Sequence, residues 1–112
     1  MSELKVFKVP GQYDVRVERL FTHGRAMLVE LTILAAPPGH TIGETVVYAS
    51  TNIGAIQEML AALMGCESCL VDEQDLKAAC ADQPHKGKQI HIGVSQHYSR
   101  LGPYHSYKVR AL

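Results

Sequence analysis

The spacing of the apolar residues changes twice along this chain, and that change most constrains what the chain can fold into. From Tyr13 to Leu20 apolar and polar residues alternate, and a period of two is typical of a strand with one buried face. From Asn52 to Met64 the period is near 3.6, which is typical of an amphipathic helix. From Lys88 onward the alternation returns. The pattern therefore predicts a mainly β chain with a helical insertion.

The full pattern predicts five strands and two helices in the order β-β-β-α-α-β-β. The strands are expected at 13–20, 26–34, 44–50, 88–98 and 104–112, and the helices at 52–64 and 72–81. This order matches an OB-fold, a five-stranded Greek-key barrel with its helices between strands three and four. We therefore expect a single OB-fold-like α+β domain spanning residues 1–112, with a generic α+β sandwich as the alternative.

Two features of the sequence bear on where the protein works. No apolar run approaches the ~20 residues needed to cross a bilayer, and the first residues, MSELKVFKVPGQ, lack the apolar segment of a signal peptide. The three cysteines cannot all pair within one chain, which agrees with a reducing compartment. We expect a cytoplasmic protein with no membrane partner.

The charges are balanced in total but separated along the chain. Basic and acidic residues number 11 each. Residues 1–50 hold five of each kind, residues 51–84 hold one basic and six acidic side chains, and residues 85–112 hold five basic side chains and no acid. The three parts therefore carry net charges of 0, −5 and +5. Such an asymmetry bears on binding partners more directly than the total charge does.

The basic segment coincides with the predicted hairpin of strands four and five, and tyrosines are interleaved with its cations. Cations neutralise phosphates, and flat rings stack on unpaired bases, so such a hairpin suits single-stranded nucleic acid. The alternative is an edge hairpin whose charges only prevent aggregation. The candidate nucleic-acid-binding residues of the hairpin are Lys86, Lys88, Tyr98, Arg100, Tyr104, Lys108 and Arg110.

Two further candidates come from other segments. In OB-folds the loops joining strands one and two and strands four and five flank the binding face. Arg25, which shares the first of these loops with His23, is therefore expected beside Arg100 in the second. Tyr48 in the third strand is a further candidate for base stacking.

Four further residues have the types and spacing of zinc ligands, and the sequence shows no catalytic motif. The spacing C-x2-C-x10-C-x4-H formed by Cys66, Cys69, Cys80 and His85 provides the four ligands of a Cys₃His zinc site. Each of these residues also has a simpler interpretation, such as a buried free thiol. No phosphate-binding glycine loop or nucleophile motif is present. We therefore expect neither an enzyme nor a cofactor.

Several segments taken in order resemble the small OB-fold, single-stranded-DNA-binding-like proteins of bacteriophages. The resemblance covers roughly residues 10–112. Its carriers are GQYDVRVERL at the first strand, VELTILAAPPGHTIGETVVYA through the second and third, the helix NIGAIQEMLAALMGC, and KGKQIHIGVSQHY at the fourth strand.

The resemblance implies a non-enzymatic protein that binds single-stranded DNA, or RNA, in phage replication or recombination, within the host cytoplasm. The chain departs from bacterial single-strand-binding proteins because it ends in YHSYKVRAL, without an acidic tail that recruits partner enzymes. The alternative function is a protein-interaction module, such as a phage-encoded inhibitor or adaptor of a host protein. Exposed strand edges favour a homo-oligomer in either case.

Overall fold

A computed structural model of the chain describes residues 6–112, so the first five residues of the predicted domain lie outside the described part. The alternating segments form five antiparallel strands in one sheet with the order β3-β2-β1-β4-β5. All five predicted strands are confirmed, with small shifts at their ends. The strands are β1 Gly11–His23, β2 Ala26–Ala35, β3 Thr45–Ser50, β4 Gln89–Ser99 and β5 Gly102–Ala111.

Both predicted helices are confirmed, and local capping explains where they begin and end. Helix α1 spans Ile53–Met64, and the side chain of Asn52 accepts a hydrogen bond from the Ala55 N–H at its start. Helix α2 spans Glu73–Asp82 and begins with a reciprocal capping box between Asp72 and Asp75. A short 3-10 helix, Ser68–Leu70, lies between them and was not predicted by the apolar pattern. No helix within residues 6–112 has the length and apolar character needed to cross a bilayer.

The register of the sheet determines which loops share an end of the molecule. Gly11 pairs with Val94 and Arg16 pairs with Gln89, so β4 runs toward the N-terminal end of β1. The β4–β5 turn therefore lies beyond the start of β1. The β1–β2 turn, where His23 pairs with Ala26, lies at the other end of β1. We call the end with the β4–β5 turn the arm end, because the β4–β5 hairpin projects there. We call the end with the β1–β2 turn the helical end, because α1 and α2 lie there.

The predicted closure into a barrel is not observed, because β3 and β5 remain the edges of the sheet and are not paired with each other. The two edges meet through side chains instead. The rings of Tyr48 and Tyr107 pack edge to face with centroids 5.3 Å apart. Helix α1 also lies against β5, where Glu58 accepts a hydrogen bond from the Val109 N–H at 3.3 Å. One edge amide of β5 is thus paired with a helix side chain and not with another strand.

An aromatic cluster fills the core at the arm end. Phe7 is buried and its ring lies 4.7 Å from that of Tyr13 and 6.1 Å from that of Tyr107. His40, whose side chain is almost completely buried, packs on the same rings. Its Nε2 accepts a hydrogen bond from the Lys8 N–H at 3.0 Å, while Nδ1 lies 3.2 Å from Glu44. The segment before β1 is therefore held against the β2–β3 connection by buried rings.

Candidate nucleic-acid interface

The β4–β5 hairpin extends past the rest of the sheet. Pairing of β1 with β4 ends at Gly11 and Val94, whereas β4 and β5 continue to pair with each other as far as Ser99 and Gly102. Residues 95–106, which we call the arm, therefore form a two-stranded ribbon without a third strand. None of them is buried. The alternation of buried and exposed residues in β4 stops at Val94, so the arm contributes little to the core.

Register and the period of two assign the arm side chains to faces. His97 lies opposite Tyr104. Lys108 and Arg110 are four and six residues after Tyr104 on β5, and both separations are even. These four side chains therefore share one face of the hairpin, which is the outer face of the sheet. Tyr98 points to the other face of the ribbon. From Tyr104 to Arg110 the outer face is about 20 Å long, at roughly 3.4 Å per residue.

Two tyrosine rings on the arm are open to solvent. Tyr98 is 79% exposed and Tyr104 is 52% exposed. The ring of His97 stacks on Tyr104 with centroids 5.3 Å apart and an interplanar angle of 26°. His97 Nε2 also lies 2.8 Å from the Ser106 hydroxyl oxygen, which holds the imidazole over the ribbon. The arm thus carries a stacked pair of rings, in which His97 supports Tyr104 and the Tyr104 ring remains half exposed to solvent.

The cations of the hairpin are exposed and have few acids near them. Arg100 lies in the turn, and Lys108 and Arg110 lie on the outer face of β5. The nearest acid in the register is Asp14 on β1, opposite His91, which is itself opposite Arg110. Its Oδ1 lies 2.8 Å from His91 Nδ1, so this carboxylate already has a partner. The arm itself holds one cation, Arg100, and no acid. Lys108 and Arg110 flank Val109, whose N–H donates to the Glu58 carboxylate, so one acid lies close to these two cations.

The two remaining cations of the basic segment lie away from the arm. The ammonium of Lys88 donates a hydrogen bond to the carbonyl of Leu63 in the last turn of α1, where a cation stabilises the helix dipole. Lys86 is exposed in the turn between α2 and β4, and its backbone N–H donates to the Gln83 carbonyl. These lysines are therefore at the helical end.

The expectation that Arg25 lies beside Arg100 is not met. Arg25 follows Gly24 in the β1–β2 turn at the helical end, whereas Arg100 is in the turn at the arm end. Register separates the two turns by the whole length of β1, a long-range pairing that local spacing does not contain. Arg25 instead lines a groove together with α1 and α2.

Tyr48 was a predicted stacking residue, but its ring lies in the core. Its exposed fraction is only 4% and it packs against Tyr107. Burial raises the pKa of the Tyr48 phenol to about 12, with the carboxylate of Glu58 adding to the shift. The ring has no free face for a base because β3 turns it toward the edge of β5.

The four potential zinc ligands are not gathered. Among residues 6–112 no group of three or more histidine, cysteine or acidic side chains is arranged to hold a metal ion. Burial raises the pKa of the Cys80 thiol, against the opposing effect of a hydrogen bond with Thr22. Cys69 is exposed, with its thiol 3.7 Å from Glu67. Desolvation lowers the pKa of His85, and the charge of Lys88 adds to this effect.

Two residues of the arm were missing from the predicted site. His97 becomes part of the ring pair only through its register with Tyr104, although a hairpin with a short turn would have placed the two opposite each other. Leu101 lies at the tip and is completely exposed. The sequence signal that could have identified Leu101 is its position as an apolar residue inside a turn, between Arg100 and Gly102.

No protein-family model matches this chain, and a comparison with curated proteins also finds no match.

Proposed function

We propose that this protein is a non-enzymatic binder of single-stranded nucleic acid, and that the arm together with the outer face of β5 is its binding surface. The observation that carries the proposal is the presence of exposed tyrosine rings on a ribbon that holds Arg100 and no acidic residue, and that continues into Lys108 and Arg110 on β5. Arg100, Lys108 and Arg110 would contact phosphates. Tyr104, supported by His97, and Tyr98 would stack on bases.

We further propose that the fold is an OB-fold whose barrel is left open between β3 and β5. Support comes from the strand order β3-β2-β1-β4-β5, with the helices inserted between β3 and β4, which is the order of a five-stranded OB barrel cut along one seam. The side-chain contact between Tyr48 and Tyr107 lies at that seam. Binding of single strands is one of the functions this architecture hosts, but the surface chemistry carries the argument.

The chemistry of the arm favours single strands over duplexes. Each base of an unpaired strand offers a flat face, and stacking on an aromatic side chain contributes about 1–3 kcal/mol per base. A stacked duplex offers no such faces to Tyr98 or Tyr104. DNA and RNA single strands share this chemistry, so the proposal covers both.

The experiment is a fluorescence-anisotropy titration of labelled oligo-dT at low salt, with a duplex of the same length as comparison. We expect the oligonucleotide to bind and the duplex to bind more weakly. Tyr104→Ala should weaken binding about 5- to 150-fold, the range that corresponds to one stacked base. Because Tyr104 is exposed, this variant should fold, and circular dichroism verifies that it does.

Tyr48→Phe and Arg25→Gln are the matched controls. The first changes a tyrosine that is buried, and the second removes an exposed cation at the helical end. Both should bind oligo-dT as the unaltered chain does. Absence of binding at low salt would overturn the proposal, and so would an equal loss of affinity in Arg25→Gln and Arg100→Gln.

A further inference from the structure

An apolar groove lies at the helical end, apart from the proposed nucleic-acid surface. It runs between the β1–β2 turn and the first residues of α1 and α2, and has a volume of about 670 Å³. Its apolar lining comes from Ile53, Ile56, Leu60, Val71 and Leu76. Ile53 is 74% exposed although it belongs to the first turn of a helix. A large apolar side chain in this position adds apolar surface that the described chain leaves uncovered.

The groove lies in the acidic part of the chain. Asp72 and Glu73, at the start of α2, form part of its lining. The segment 51–84, which supplies most of the groove, holds six acids against one lysine. Among the lining residues within 6–112, Arg25 is the one cation, at the rim formed by the β1–β2 turn. A ligand that fits this groove should therefore be apolar at its centre and basic around it.

The tip of the arm has this composition. Leu101 is completely exposed, and Arg100 precedes it in the same turn. Tyr98, also exposed, lies two residues before Arg100. The tip thus presents one branched apolar side chain next to one cation, within a segment 85–112 that has a net charge of +5 and no acid.

The arm cannot occupy the groove of its own chain. The β4–β5 turn lies beyond the start of β1, whereas the groove is built around the β1–β2 turn at the other end of that strand. The complementary surfaces therefore face away from each other on one molecule. A contact between them joins two copies head to tail, and such a heterologous contact builds a ring or an open chain of copies.

We propose that copies of this chain associate head to tail, with Leu101 and Arg100 of one copy seated in the acidic apolar groove of the next. This association does not depend on the proposed nucleic-acid binding, since Leu101 and the groove supply its apolar contact. Arg100 belongs to both surfaces, while Tyr104, Lys108 and Arg110 on the outer face remain free. Apolar contact with Ile53 supplies the stabilisation, and the opposed charges orient the copies and make the contact sensitive to salt.

Two single variants test the direction of the contact. Leu101→Asp damages the tip and leaves the groove intact, while Ile53→Glu damages the groove and leaves the tip intact. Both residues are exposed, so both variants should fold. In sedimentation equilibrium on nuclease-treated protein up to ~1 mM, the unaltered chain should associate with increasing concentration, more strongly at low salt. Each variant alone should be monomeric.

The equimolar mixture of the two variants distinguishes this contact from a symmetric one. One intact tip and one intact groove remain in the mixture, so it should form a 1:1 dimer and nothing larger. Ile42→Glu, which changes an exposed apolar residue of the β2–β3 connection, should associate as the unaltered chain does. A monomeric unaltered chain, association of either variant alone, or a mixture that stays monomeric would overturn the proposal. None of these results depends on whether oligo-dT binds.

Discussion

Gln83 shows how a single side chain completes the sheet. Its amide oxygen accepts a hydrogen bond from the Leu20 N–H at 2.9 Å, and its amide nitrogen donates to the Leu20 carbonyl at 2.7 Å. The same nitrogen donates to the Cys80 carbonyl. β4 is paired with β1 only as far as Arg16 in the register, so Gln83 takes the place of a strand next to Leu20.

Replacement of Gln83 by alanine should therefore destabilise the fold. The Leu20 backbone groups would lose their partners in a partly buried place, and we expect the free energy of unfolding to fall by about 1–3 kcal/mol. Urea unfolding monitored by circular dichroism measures the change. Gln74→Ala, on the exposed side of α2, is the control and should change stability little. Equal stability of the two variants would show that water replaces the Gln83 amide without cost.

Burial of tyrosine rings in the seam predicts a loss of stability at alkaline pH. The pKa of Tyr48 is raised to about 12, while an unfolded chain loses this proton near pH 10.0. Between these values the unfolded state binds fewer protons, so the free energy of unfolding falls as pH rises through the window. Burial also raises the pKa of Tyr13 and of Tyr107.

Urea unfolding in steps across that pH window tests this linkage. Tyr48→Phe should make the decline shallower, by up to about 1.4 kcal/mol per pH unit. Tyr104→Phe, which changes an exposed ring, should leave the decline unchanged. Parallel curves for the unaltered chain and Tyr48→Phe would mean that Tyr48 ionises in the folded state as readily as in the unfolded one.

At the residue scale the sequence predicted which hairpin side chains are exposed, but it did not predict the hydrogen-bond partners of buried and half-buried polar side chains. Arg100, Lys108 and Tyr98 are exposed as expected from the composition of the hairpin. The roles of Gln83 and His40 were not predicted, because their partners lie 63 and 32 residues away along the chain. Tyr48 was assigned to the surface because alternation identifies two faces of a strand without saying which of them a neighbouring edge covers.

At the scale of elements, the arm differs from the strands that carry it. Two strands without a third have marginal stability in water. We therefore predict that amide hydrogens of residues 95–106 exchange much faster than those of Ile90 and Ile92, which lie in the buried part of β4. Hydrogen exchange followed by NMR measures this directly. Similar protection along the whole of β4 would contradict the prediction, while added oligo-dT should slow exchange in the arm.

The elements themselves were predictable because each depends on local periodicity and capping, as in α1 with its Asn52 cap. The arrangement of these elements in space was harder to predict from the sequence. The closure of the sheet depends on whether β3 and β5 come within hydrogen-bonding distance, and here α1 and the ring contact of Tyr48 with Tyr107 occupy that seam. The placement of the β1–β2 and β4–β5 turns at opposite ends of the molecule depends on the register of β1 with β4.

At the scale of the whole molecule, opposite charges are placed at opposite ends. The net charge is zero, yet the hairpin segment 89–112 carries Arg100, Lys108 and Arg110 and no acid, whereas the segment 51–84 carries six of the 11 acidic side chains. Such a distribution attracts an anionic strand to one end and repels it from the other. Binding strength should therefore follow the three cations of the hairpin, Arg100, Lys108 and Arg110, and not the total charge.

This separation predicts how the binding of single strands responds to salt. Contact of Arg100, Lys108 and Arg110 with phosphates would release counterions in proportion to their number, at about 0.7 per contact on a single strand. A plot of the logarithm of the oligo-dT association constant against the logarithm of salt concentration should have a slope of about −2. Lys108→Gln should reduce the magnitude of that slope by about 0.7, whereas Arg25→Gln should leave it unchanged because its cation lies at the helical end. A slope that Arg25→Gln reduces as much as Lys108→Gln would place the phosphates along the whole molecule and not on the β4–β5 hairpin.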